Sequence, residues 1–93
     1  MGKAAQVIII NPKDNVATAL QGLSAGAQVS VEFQGRAQII TLESDIPRGH
    51  KFAFQDIGEG EPVIKYGEPI GKSTVKILRG EHVHVHNIAS QKL

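Results

Sequence analysis

Three times in its second half the chain repeats one short unit, Ile-x-x-Gly-x-x-apolar, within DIPRGHKF from Asp45, DIGEGEPV from Asp56 and KILRGEHV from Lys76. Each glycine stands where a tight turn calls for positive φ, which a residue without Cβ adopts at little cost. The apolar residue three positions later then falls in a short strand. A chain punctuated this often has no room for long helices in that half. The unequal spacings of 11 and 20 residues also rule out a solenoid, which needs a fixed period. The unit predicts a compact β-fold of short, sharply turned strands.

The first half fits that frame. Val7-Ile8-Ile9-Ile10 is a β-branched run ending at Asn11-Pro12, and it reads as a buried strand halted by a residue that cannot donate to a ladder. Asp14 or Asn15 can cap one short helix near residues 15–23, whose apolar positions Val16, Ala19, Leu20 and Leu23 follow a helical stripe. Gly22 and Gly26 bracket its end. From Val29 the period becomes two, with Val29, Val31 and Phe33 alternating against Ser30 and Glu32 up to a turn at Gln34-Gly35. Arg36 to Leu42 returns as the partner strand. The expected class is mainly β, with about six or seven short strands and one short helix. All 93 residues are read as a single domain, because the chain is too short for a second core.

Composition narrows the function. Hydrophobic residues make up 41% of the chain and aromatics only 4%, so Val, Ile, Leu and Ala build the core with three Phe as larger fillers. A net charge of +1 lacks the clustered positive field of a nucleic-acid binder, and nucleic acid is set aside as a partner. With no cysteine, disulfides, thiolate metal sites and Cys nucleophiles are excluded. The longest apolar run, Val7 to Ile10, is too short for a membrane span or a signal peptide, so the expectation is a cytoplasmic chain with no membrane partner. GEGEP at 58–62 is no phosphate loop, since neither a helix nor Lys-Ser/Thr follows it.

The sharpest chemical feature is His82-Val83-His84-Val85-His86. In an extended strand its three imidazoles share one face and both valines point to the core, with the outer histidines roughly 13 Å apart at about 3.3 Å per residue. Two of them, such as His84 and His86, can then share a metal ion if His50 or a partner chain supplies a third ligand. The competing reading is a polar outer face whose imidazoles bond to backbone or water. Gly49-His50-Lys51 sets a titratable base beside a cation after a Pro-x-Gly turn, which suits an anionic ligand and equally an ordinary surface turn. Lys65-Tyr66-Gly67-Glu68-Pro69-Ile70-Gly71 offers a phenol and two glycines that admit close approach, or is a plain β-turn.

INPKDNVATAL, DIPRGHKFAFQDI, EPVIKYGEPIG and GEHVHVHN occur in the order and spacing of a known domain. Over nearly its whole length the chain resembles the N-terminal SAF (antifreeze-like, β-clip) domain of altronate and galactarate dehydratases. The resemblance implies hydro-lyase chemistry, in which an aldonate or aldarate loses water to give a 2-keto-3-deoxy acid. It implies a small subunit or domain that turns over only in complex with a large catalytic dehydratase chain, on a small anionic sugar acid. It also implies a divalent metal, iron or manganese, held mainly by that large chain. The candidate catalytic residues are His50, Lys51 and Tyr66, the candidate substrate-binding residues Lys65, Gly67 and Asn87, and the candidate metal ligands His84 and His86. Two alternatives stay open: the small subunit of a sulfolactate sulfo-lyase, which expels sulfite in place of water, and a non-catalytic sugar-acid-binding or assembly module. Self-association into a homo-oligomer is also open.

Overall fold

The glycine turns set the architecture. In the computed structural model, which describes residues 6–90, the repeated unit occurs four times, because LSAGAQV at 23–29 is a further copy with Leu23 in place of Ile. The four turn glycines Gly26, Gly49, Gly60 and Gly80 adopt φ of 85°, 82°, 80° and 93°. The copies then pair. Leu23 and Ile46 exchange both backbone hydrogen bonds at 2.9 and 2.8 Å, and Ile57 and Ile77 do the same at 2.8 Å each. Each glycine N–H donates to the chain leading into its partner unit: Gly26 to the Leu42 carbonyl, Gly49 to Ala19, Gly60 to Ser73 and Gly80 to Ala53. The acid before one unit of each pair is used as well, Asp45 Oδ1 accepting from the Ala25 N–H and Asp56 Oδ1 from the Arg79 N–H, both at 2.8 Å. Each pair is thus related by a local pseudo-twofold.

Between these turns run nine short strands among the described residues: β1 (Val7–Ile8), β2 (Val16–Ala19), β3 (Gln28–Phe33), β4 (Arg36–Thr41), β5 (Lys51–Ala53), β6 (Pro62–Lys65), β7 (Glu68–Ser73), β8 (His82–Val83) and β9 (Ile88–Ser90). They form antiparallel sheets β1-β2-β5-β8, β3-β4 and β6-β7-β9, so the chain is mainly β as expected. The described residues contain no helix, and hence none long and apolar enough to cross a membrane.

The central sheet separates two cores. Val7, Ala17, Ala19 and Phe52 belong to the first, which Val29, Val31 and Ile40 of the β3-β4 hairpin close. Val16, Ala53 and Val83 belong to the second, with Ile57, Val63 and Ile77, and Ile70 and Ile88 pack against it. This arrangement corrects the helix expected near residues 15–23. A strand covered on both faces carries apolar residues almost continuously, and Val16-Ala17-Thr18-Ala19 mimicked a helical stripe for that reason. So short a helix is marginal on its own, whereas β2 bonds to β1 at Ile8↔Thr18 and to β5 at Val16↔Ala53. Leu20, expected on the apolar stripe, is 45% exposed. Strand one is also shorter than Val7 to Ile10. Of its strand residues only Val7 is buried, because β1 lies at the sheet edge.

Both hairpin turns match their sequences. Gln34-Gly35 (φ 51° and 80°) and Tyr66-Gly67 (φ 60° and 75°) are two-residue connections with positive φ at both central positions, the hand that fits strand twist.

Candidate functional site

Register in the central sheet builds an imidazole cluster at one edge. In the antiparallel β5–β8 pair, Phe52 lies opposite His82 and Lys51 opposite Val83. One step further that register sets His50 against His84, and their rings stack with centroids 4.4 Å apart and an interplanar angle of 23°. His82, diagonal to His50, stacks on both, at 5.1 Å from His50 and 5.4 Å from His84. His50 Nδ1 lies 2.9 Å from His82 Nε2, a ring-to-ring hydrogen bond whose donor is set by the tautomers. One nitrogen of each of His50, His82 and His84 falls within 4.8 Å of the others.

HVHVH is not a continuous strand. After Val83 the chain turns, with the N–H groups of Asn87 and Ile88 both donating to the His84 carbonyl at 3.1 and 3.2 Å. Val83 is fully buried as expected, but Val85 is 80% exposed. The His82 and His86 rings lie 5.3 Å apart, far closer than an extended strand allows. The turn gathers what an extended strand would have spread out. His84, expected to share an ion with His86, instead joins His50 and His82, while His86 lies against His82.

Two rings of the cluster, His82 and His84, are biased toward the uncharged form. Loss of water contact first, then the charges of His50, His86, His84 and Lys51, holds the His82 pKa below the ordinary histidine value. Desolvation, followed by His50, Lys51 and His86, does the same to His84. Burial, and after it the nearby Lys65 ammonium, lowers the Lys51 pKa from the usual lysine range. Lys51 and Lys65 therefore form a cationic pair, of which Lys51 acts on the imidazoles. Three imidazoles suit iron, zinc, nickel or copper, while manganese prefers oxygen donors.

The other candidates lie apart or are committed to the backbone. Tyr66 is at the β6-β7 hairpin tip, 60% exposed, with Lys65 Nζ 5.0 Å from its ring centroid. The Gly67 N–H donates to Asp14 Oδ1 at 2.8 Å. Asn87 is buried; its Oδ1 accepts from the His84 N–H at 2.9 Å and its Nδ2 donates to the His82 carbonyl at 2.8 Å. Its side chain thus braces the backbone that presents the cluster. Sequence reasoning also missed His82 as a cluster member and Asn15 as a brace. Asn15, expected as a helix cap along with Asp14, instead accepts from the Ile64 N–H and donates to the Pro62 carbonyl. Aligning the units at Gly49 and Gly80 sets His82 level with Lys51 and Glu81 level with His50, so the repeat gave no sign of the cluster, which the β5–β8 register creates.

Known proteins resemble this sequence. The altronate/galactarate dehydratase SAF domain family matches residues 5–91. Altronate dehydratase of Escherichia coli (strain K12) is 51% identical over 82 residues, 88% of this chain and 16% of that protein. Altronate dehydratase of Bacillus subtilis (strain 168) is 41% identical over 80 residues, 86% of this chain and 15% of that protein. The chain therefore spans less than a fifth of the length of these two relatives. The (2R)-sulfolactate sulfo-lyase subunit alpha of Chromohalobacter salexigens is 40% identical over 75 residues, 78% of this chain and 80% of that one. With the match running through every described strand, the chain belongs to the altronate/galactarate dehydratase SAF domain family.

Proposed function

We propose that the chain is the SAF component of a sugar-acid hydro-lyase of the altronate or galactarate type, acting together with a larger catalytic chain. The observation that carries this reading is the convergence of three imidazoles and Lys51 at one sheet edge in a member of this family. Dehydration of an aldonate removes a proton from the carbon beside the carboxylate and hydroxide from the next carbon. Cationic groups lower the barrier by holding the carboxylate as it gains enediolate character, and an acid assists the departing hydroxide. Lys51 and Lys65 are suited to the carboxylate: an anion between them relieves their mutual repulsion and favours the charged form of Lys51. His50 precedes Lys51 in the chain and can serve as the base, and the exposed Tyr66 phenol at the β6-β7 tip is a further candidate donor. The reaction's divalent metal, iron or manganese, is assigned mainly to the larger chain, where it supplies Lewis acidity.

The test is reconstitution. With the larger chain present, Lys51→Met and His50→Ala are expected to lower kcat/KM for altronate or galactarate by about 10²–10³-fold. Full kcat and KM in both variants refute a shared site. A second reading, the small subunit of a sulfolactate sulfo-lyase, is favoured by the 80% coverage of the Chromohalobacter subunit. Sulfite release from sulfolactate by the same complex decides for it. Calorimetric titration of the lone chain with altronate, galactarate and sulfolactate separates both from a binding module that leaves turnover to its partner.

A further inference from the structure

We propose that His50, His82 and His84 form a three-imidazole site for a first-row divalent transition-metal ion of the zinc or iron class, held by this chain itself. They come from two segments far apart in sequence, His50 and His82 being 32 residues apart, and the fold delivers them to one place. Their ligating nitrogens lie within 4.8 Å of one another, and His50 and His82 already approach to 2.9 Å. Ligands on one ion at about 2.0–2.1 Å stand roughly 3–3.5 Å apart, so side-chain rotation of about 1 Å closes the set and unstacks the rings.

The backbone behind each ligand is fixed. The Gly49 turn and the β5–β8 register hold His50 and His82, and the Asn87 amide bonds to the His84 N–H and the His82 carbonyl at once. Such outer support is what orients ligands in built metal sites. The donor set contains no carboxylate, which selects for imidazole-loving ions and against Mg²⁺ and Ca²⁺. Three protein ligands leave a coordination position for water or an anion. The inference rests on this geometry alone and stands whatever substrate the larger assembly takes.

The untagged full chain, purified without metal resin and stripped by chelator, is titrated with Zn²⁺ and Co²⁺, with Mg²⁺ as the control. One equivalent of Zn²⁺ or Co²⁺ is expected to bind and to raise Tm with metal concentration, and Mg²⁺ is expected to do neither. His50→Gln, His82→Gln and His84→Gln should each weaken binding by more than the roughly 10–100-fold that loss of an outer-shell partner costs, and His86→Gln should leave it within about twofold. In the wild type, Zn²⁺ should shift the ring resonances of His50, His82 and His84 together, a readout that needs no variant to fold. Binding no tighter than about 0.1 mM, undiminished binding in a folded His50→Gln/His84→Gln variant, or ring shifts confined to His86 would overturn the site.

Discussion

Gly26 and Gly80 hold equivalent positions in two copies of the repeated turn and share nearly the same φ, 85° and 93°, so replacing each by Ala isolates crowding from backbone strain. A Cβ at Gly26 meets nothing within 4 Å. Its cost is the left-handed backbone, about 1–2 kcal/mol, less the roughly 0.5 kcal/mol gained by stiffening the unfolded chain, or about 1 kcal/mol net. A Cβ at Gly80 bears the same cost and also falls against the Thr41 carbonyl oxygen, well inside van der Waals contact, at the end of β4. That neighbour is backbone and cannot swing aside. Relief must move β4 or the turn, at about 1–3 kcal/mol, and strains the bonds from Gly80 N–H to Ala53 and from Glu43 N–H to Gly80, each worth about 1 kcal/mol. Gly80→Ala is therefore expected to cost about 3–5 kcal/mol, a large share of the stability of a domain this size. Urea unfolding followed by circular dichroism measures both, and in melting the expected losses are about 5 °C for Gly26→Ala and at least about 15 °C for Gly80→Ala. Equal losses in the two variants would refute the crowding argument, as would a Gly80→Ala protein as stable as wild type.

Asp14 is buried and accepts from the N–H groups of Asn11 and Gly67, so Asp14→Ala should destabilise by about 2–4 kcal/mol and speed amide exchange at Gly67; unchanged exchange there would show that the hairpin tip does not depend on it. Asn87→Ala removes the brace behind His82 and His84 and should cost about 1–3 kcal/mol together with roughly 10–100-fold in Zn²⁺ affinity, whereas a stability loss with full affinity would make Asn87 purely structural. In the metal-free chain, His82 and His84 have folded-state pKa values below the 6.5 of free histidine, so as pH falls through that value the unfolded chain takes up more protons and the fold loses stability. Tm should drop between about pH 8 and about pH 5.5, and less so in a His82→Gln/His84→Gln variant; an equal drop in both proteins would assign the acid sensitivity elsewhere.

What could be read from the sequence was whatever depends on short-range chemistry. The β3-β4 hairpin was legible because Gln34-Gly35 and strict alternation on either side act within a few residues. The glycine turns were legible for the same reason, although the copy at Leu23 escaped because Leu replaces Ile there. β2 was not legible, since its strand identity comes from neighbours on both sides and from two cores that cover it, none of which is encoded in residues 16–19. At the site, the histidine types were visible but their meeting was not. An extended HVHVH keeps His82 and His86 far apart, and only the turn closed by Asn87 brings their rings to 5.3 Å.

The reciprocal pairing of the four glycine turns bears on how the chain reaches this state. Each unit closes one turn bond of its own, but its glycine N–H and its Leu or Ile backbone groups bond to the partner unit or to the chain leading into it. Asp45 serves an amide 20 residues earlier and Asp56 one 23 residues later, so a turn formed alone has lost chain entropy with few bonds in return. Folding should therefore lack stable partial structures and proceed in one slow, cooperative step, on the millisecond-to-second scale of topologies dominated by distant contacts. The same interlock makes the imidazole edge a late product, because His50 and His84 meet only once both pairs of turns have closed.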